Sequence, residues 1–263
     1  MNFQNLIYEK RGAAIWVTLN RPEVMNSLDP KTIAEIDAAM DAAEADREAR
    51  ALVFTGTGRA FCAGADLKFL GGKSGPEGIE DMAEFLHQLL PVFNRLEAFP
   101  MPVIAAVNGL ALAGGLELVL CCDLVIAAES AKIGDAHANF GLLPGGGGSV
   151  RLPRKIGPTR AKYLLYTADF VPAADLVEAG LVNRVVPDDQ LVAAVQAVVD
   201  RIVVKSPLGL RRMKQLVDDG LNQPVETALR LEILAGEAHA KSHDMAEGLA
   251  AFNGKRKPKF TGK

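Results

Sequence analysis

An α/β fold is what this sequence predicts, and three observations carry that expectation. Segments rich in β-branched and aromatic residues alternate with segments of helical periodicity through the first two-thirds of the chain. Glycine-bearing turns separate them, so strand–turn–helix units follow one another in series. The 263 residues, 49% hydrophobic and 23% charged, are enough to bury a full core in an ordinary globular mix.

The elements follow in order. Residues 14–19 (AIWVTL) read as a strand because most of them are β-branched or aromatic, and Asn20-Arg21-Pro22 stops it. Asp29-Pro30 has the form of an N-cap followed by proline at the first helical position. The helix it opens carries Ile33, Ile36 and Met40 on one face. Residues 51–55 (ALVFT) form a short buried strand ended by Gly56-Thr57-Gly58, and residues 71–78 (GGKSGPEG) have loop composition. A helix is expected from about Ile79 to Leu96, closed by Pro100 and Pro102. Residues 103–107 (VIAAV) read as a fully buried strand turned by Asn108-Gly109, after which Gly114-Gly115 leads a helix through Cys122. Residues 124–128 make a further strand, and Pro144-Gly145-Gly146-Gly147-Gly148 is a permissive turn before another helix.

From Pro187 onward only helices are expected, over 190–204, 208–219 and 225–241. Their apolar faces have little core of their own, which predicts packing against another subunit. The basic stretch 255–263 is expected to run over a surface, and no strict sequence repeat is visible.

Composition excludes several classes. The formal charge of −3, from 29 basic and 32 acidic residues, gives no global basic field for nucleic acid. The longest apolar stretch, Met101 to Cys122, is interrupted by Asn108, by glycines and by Glu117, so it reads as buried strand plus helix rather than a membrane span. MNFQNLIYEKRG has neither a secretory pattern nor transit-peptide composition, and the closing TGK is no peroxisomal address. Cys62, Cys121 and Cys122 are odd in number, and two are adjacent, which fits a reducing cytoplasm. No C-x-x-C or H-E-x-x-H spacing appears, so no metal site is indicated.

Three segments place glycine where backbone must approach something closely: residues 61–67 (FCAGADL), 108–117 (NGLALAGGLE) and 144–148 (PGGGG). Glycine alone marks an ordinary turn as readily. The second segment says more, because a glycine pair just before a helix leaves free N–H groups at the positive end of its dipole, suited to developing negative charge. An oxyanion hole needs two such donors, and losing one costs about 3–4 kcal/mol of transition-state stabilisation. Glu117 lies in the first turn of that helix among Leu116, Leu118, Val119 and Leu120. A carboxylate there either complements the dipole or, desolvated by its apolar neighbours, serves as an acid/base.

Taken in order, Asn20-Arg21-Pro22 with Asn26-Ser27-Leu28, then residues 60–67 (AFCAGADL), then Pro102 through Asp123, then 141–148 (GLLPGGGG), and finally Phe252 with Lys255-Arg256-Lys257 resemble the signature segments of the crotonase (enoyl-CoA hydratase/isomerase) family. The resemblance covers essentially the whole chain. It implies a spiral of ββα units over residues 1–200 and a C-terminal helical region over 201–263 that trimerises, giving a homotrimer or a homohexamer of two trimers. Carried over residue by residue, it implies an oxyanion hole made by the N–H groups of Ala65 and Gly114. It also implies coenzyme A contacts at Ala63, Ala65, Asp66, Leu67 and Lys68, with Lys255 reaching a CoA phosphate, often from a neighbouring subunit. The implied partner is an acyl-CoA thioester, with no cofactor besides the coenzyme A of the substrate.

The shared hole serves hydration, isomerisation, hydrolysis or decarboxylation alike. Enoyl-CoA hydratases in this family use two glutamates. One matches Glu117; the position of the other is occupied by His137, in 133–141 (IGDAHANFG). A neutral imidazole suits proton transfer near neutrality and is able to replace the carboxylate. If residues 133–137 are extended, Asp135 and His137 point to one side and Asp135 orients the ring. The expected reaction is hydration of a trans-2-enoyl-CoA by Glu117 and His137. Alternatives are a Δ3,Δ2-enoyl-CoA isomerase or acyl-CoA hydrolase using Glu117 alone, with His137 a mere lining residue, and a non-catalytic CoA-ester-binding protein.

Other chemistry-bearing residues read as structural. Cys62 is expected to be a small buried hydrophobe with a raised pKa. His87 falls on an amphipathic helix. His239 and His243, spaced i, i+4 on a late helix, have no third metal ligand in view and read as a solvated or subunit-contact face. Phe61, Phe69 and Phe85 read as core, with Phe85 also suited to lining an acyl pocket.

Overall fold

Strands β1 (Leu6–Arg11) and β2 (Ala14–Leu19) pair antiparallel, and helix α1 (Pro30–Ala45) follows. The computed structural model describes residues 2–68 and 76–263; Phe69 and most of the expected 71–78 loop lie outside the described residues. Three units then repeat one path. The first is β3 (Ala51–Gly56), β4 (Ala60–Cys62) and helix α2 (Pro76–Glu97). The second is β5 (Val103–Val107), β6 (Leu110–Leu112) and α3 (Gly114–Leu120). The third is β7 (Leu124–Ala128), β8 (Lys132–Gly134) and a 3-10 turn at His137–Phe140. Helices α4 (Gly148–Ile156) and α5 (Pro158–Thr167), strands β9 (Val171–Pro172) and β10 (Arg184–Val186), and helix α6 (Leu191–Ile202) complete this part.

Each unit gives its first strand to a six-stranded sheet, ordered β1-β2-β3-β5-β7-β10, and its second to a four-stranded sheet, ordered β4-β6-β8-β9. The successive strands β3, β5 and β7 are parallel, as are β4, β6 and β8. This is the expected spiral of ββα turns. The repeat lives in the path of the backbone, which explains why no repeat is visible in the residues. Strands β2 and β5 are buried along their whole length, because helices and the second sheet cover both faces.

Asp29 caps α1 by accepting from the Thr32 amide at 2.7 Å, Pro30 occupies the first turn, and Ile33, Ile36 and Met40 are buried together. Helix α2 begins at Pro76 rather than Ile79, since proline is at home in a first turn. Helix α3 stops at Leu120, short of Cys122. Strands β1, β4, β6, β8, β9 and β10 were not anticipated; most are three residues or fewer, too short to show alternation.

The last three helices, α7 (Pro207–Gly220), α8 (Val225–Ala240) and α9 (His243–Asn253), bury few side chains. Helix α9 is a separate element beyond the three helices expected after Pro187. Ser242 caps it by accepting from the Met245 amide at 3.1 Å, so His239 ends one helix and His243 begins the next. They do not share the i, i+4 face expected of them. The basic tail runs back over α9, where the Asp244 carboxylate accepts from the amides of Thr261 (2.7 Å) and Gly262 (3.1 Å).

Candidate active site

The site gathers where β4, β6 and β8 end. These strands lie side by side and parallel, with Cys62 beside Ala111 and Leu112 beside Gly134. Ala65 comes just past the first, Gly114 just past the second and His137 just past the third. Loops at the carboxyl ends of parallel strands converge, so residues far apart in sequence become neighbours.

Ala65 forms a bridge with Leu28 in which Leu28 donates to the Gly64 carbonyl and Asp66 donates to the Leu28 carbonyl, each at 2.8 Å. Alternation along an extended backbone turns the Ala65 amide away from Leu28, and Ala65 lines the same cavity as Gly114 and Glu117. Gly114 is the first residue of α3, where N–H groups have no intrahelical acceptor. Ala113 before it holds φ 49°, ψ −118°, a strained conformation for a residue with a Cβ, and is anchored by donating to the Gly134 carbonyl at 3.0 Å. The two segments touch: a Cβ on Gly114 would lie 3.6 Å from the Ala65 nitrogen. At Gly115 a Cβ would overlap the Cys62 carbonyl oxygen, so glycine is what lets α3 sit against β4.

Glu117 is 2% exposed. Its Oε1 accepts from the amides of Gly146 and Gly148, both at 2.8 Å. Burial pushes its carboxyl above the usual carboxylate range, opposed by the Gly148 amide, by the charge of His137 and by the Gly146 amide. Oε1 is thereby fixed by two main-chain donors, and the carboxylate faces the cavity.

His137 Nδ1 lies 2.9 Å from Asp135 Oδ1, and the His137 amide donates to Asp135 Oδ2 at 3.2 Å. The expected extended run over 133–137 is not what brings them together. Ala136 is left-handed, with φ 63°, and folds the chain so that Asp135 grips both amide and ring of His137. Asp135 is fully buried. Burial draws the imidazole pKa down, but the Asp135 hydrogen bond, the Asp135 charge and the Glu117 charge together outweigh it, and the net shift is upward. With Nδ1 bonded to Asp135, Nε2 is the ring nitrogen left to work.

A cavity of about 300 Å³ unites these groups. Ala65, Gly114, Glu117 and His137 line it, with Phe85 and Leu89 among the apolar side chains of its wall. Two donors, a buried carboxylate and an imidazole around an apolar chamber suit stabilising an enolate while protons move.

The family model for enoyl-CoA hydratase/isomerase matches residues 9–263. This chain belongs to the enoyl-CoA hydratase/isomerase family. It is 41% identical over 264 aligned residues to the crotonyl-CoA hydratase of Syntrophomonas wolfei, covering all of both chains. It is 36% identical to the short-chain-enoyl-CoA hydratase of Clostridium acetobutylicum, covering 98% of this chain and 97% of that one. The crystal structure of enoyl-CoA hydratase from Bacillus anthracis superposes with a TM-score of 0.94 at 36% identity, covering 99% of this chain and 100% of that one.

Within this enoyl-CoA hydratase/isomerase fold the other expected site residues divide. Ala63 is tied by its amide to the Met25 carbonyl at 3.0 Å. The Asp66 carboxylate is engaged by Arg21 (2.9 Å) and by the Lys68 amide (3.1 Å), so it braces the loop from within. Leu67 and Lys68 are exposed beside it. Lys255 is exposed past the end of α9 and is not among the residues that line the cavity. Phe61 and Phe85 are core, and Phe85 also lines the cavity; His87 is exposed. Cys62 is buried, its thiol pushed up to about 12 by desolvation, as a structural cysteine should be. Among the described residues no cluster of His, Cys, Asp or Glu is arranged to hold a metal, and no helix is long and apolar enough to cross a membrane.

The Gly146 and Gly148 amides are functional donors to Glu117 that the sequence does not announce as such. Their only trace was a glycine run ahead of a helix, where free N–H groups invite a carboxylate.

Proposed function

We propose that this enzyme hydrates trans-2-enoyl-CoA thioesters, with Glu117 and His137 as the proton-transfer pair. The observation that carries the reading is a carboxylate and an imidazole facing one cavity beside the amides of Ala65 and Gly114. The thioester oxygen accepts from those two amides, which draws electrons from the β-carbon. Glu117, ionised, takes a proton from water as the oxygen bonds to that carbon. The enolate is stabilised by the two amides, and the imidazolium of His137 delivers its Nε2 proton to the α-carbon. Glu117 is then protonated and His137 neutral, and proton transfer between them restores the start. The upward shift of His137 favours the protonated donor. A single carboxylate suffices for moving a double bond, so the Asp135-held His137 favours hydration over isomerisation.

We assign Ala63, Ala65, Asp66, Leu67, Lys68 and Gly114 to the acyl-CoA path, and Lys255 to a CoA phosphate. Lys255 serves a neighbouring subunit in a trimer or pair of trimers; the exposed Met213, Val217, Leu229, Ile233 and Leu234 on α7 and α8 support that assembly. The three free, buried cysteines suit a reducing cytoplasm.

The test is loss of the enoyl-thioester absorbance with crotonoyl-CoA and water, without release of free thiol. Glu117→Gln should lower kcat about 10³-fold, with acyl-CoA affinity nearly unchanged because the amide oxygen still accepts from both glycines. Most activity retained in that variant would show that Glu117 is not the base.

A further inference from the structure

The glycine run that holds Glu117 is itself held. Residues 145–148 have no side chains to resist a peptide flip, and Gly147 sits at φ 100°. Yet the amides of Gly146 and Gly148 must both point at Glu117 Oε1. Arg151, one turn along α4, reaches back over the run, and its Nη1 donates to the Gly146 carbonyl at 2.8 Å. Its Nε and Nη2 donate to Glu97 Oε2 at 2.9 and 2.7 Å, and Nη2 donates to Asn94 Oδ1 at 2.7 Å. Both anchors lie on α2, an element separate from the glycine turn and from α3. The guanidinium packs so tightly on the turn that a Cβ on Gly147 would overlap Nη1. Arg151 is buried, and nothing in the hydration step uses it.

We infer that Arg151, anchored by Asn94 and Glu97, is a positioning residue that fixes the Gly146–Gly147 peptide and so keeps two main-chain donors on Glu117. The inference rests on Glu117 as the proton acceptor. Arg151 does not line the cavity, so it acts through the turn and not on substrate. Releasing the turn costs Glu117 both its orientation and the N–H bonds that oppose the upward push of burial. The charged or titratable groups acting on Glu117 are His137 and Asp135, from the turn after β8, together with Arg151 and the buried Cys121. Arg151 is itself paired with Glu97.

Three variants test this: Arg151→Lys, which keeps charge but not the fork, and Asn94→Ala and Glu97→Ala, which remove one anchor each. Hydration of crotonoyl-CoA should fall on the order of 10²-fold in kcat for Arg151→Lys, with KM within about twofold, and by less for each anchor variant. The acid limb of the pH–kcat profile should move to higher pH in Arg151→Lys and Asn94→Ala, which leave the formal charge around Glu117 unchanged. In unliganded protein, carbon-13 NMR of the Glu117 carboxyl should titrate at higher pH than in the wild type. If Arg151→Lys does not fold, the anchor variants decide. Folded variants with unchanged kcat, or with an unmoved acid limb and Glu117 titration, overturn the inference and leave Arg151 a structural residue. Wild-type protein that fails to hydrate crotonoyl-CoA sinks the hydratase reading instead, and the NMR titration still judges Arg151.

Discussion

Replacing Asp135 with asparagine isolates what the carboxylate does for His137. The side chain keeps its size and its one oxygen still accepts from the ring, but the oxygen that accepts from the His137 amide becomes an NH2 group and the charge is gone. Hydrogen bonds to a charged group are worth about 1.5–3 kcal/mol against about 1 for neutral partners, so the imidazolium loses about 1–1.5 kcal/mol. Asp135 is 1% exposed, so water does not restore the loss. That is about tenfold in the protonated population at a pH above the imidazole's titration. The sign follows from His137 being raised in the folded enzyme: its proton is present below that raised value and lost as pH rises through it. Removing the charge brings the loss to lower pH. With crotonoyl-CoA at saturation, kcat of Asp135→Asn should fall about tenfold further at pH 8 than at pH 6. A basic limb that stays in place, or an equal loss at both pH values, would refute the donor role of His137 and return it to a lining residue.

Three further outcomes follow from the geometry. A Cβ on Gly115 would overlap the Cys62 carbonyl, whereas on Gly114 its nearest neighbours are 3.4 Å away. Gly115→Ala should therefore lose about 3 kcal/mol, roughly 6–12 °C of Tm, while Gly114→Ala melts within about 3 °C of wild type by calorimetry; similar melting of the two would contradict the packing. Desolvation holds the Cys62 and Cys121 thiols near 12 and Cys122 well above its ordinary value, so the native enzyme should resist iodoacetamide at pH 8 and take up three equivalents in denaturant. Light scattering should find a trimer or hexamer, and Val217→Glu with Leu234→Glu should shift it toward monomer; an unchanged mass would place the interface elsewhere.

Much of this was legible in the residues because local chemistry fixed it. The Asp29-Pro30 cap is a bond across three residues. The strands at 14–19, 51–56, 103–107 and 124–128 and the start of α3 at Gly114 are marked by their composition and by the turn residues beside them, although the pairing of the strands is long-range. The ordered signature segments carried the family, and a carboxylate among leucines at a helix start marked Glu117. What the sequence left open depends on which strands lie beside which. The two-sheet path places Ala65, Gly114 and His137 at three adjacent strand ends, and strands of three residues leave no periodicity from which to read it. The left-handed Ala136 that joins Asp135 to His137, and the reach of Arg151 from α4 to α2, are likewise decided by packing. Periodicity reports which face of a segment is buried. The partners met by a buried charge are set by distances between segments, and only the folded chain fixes those.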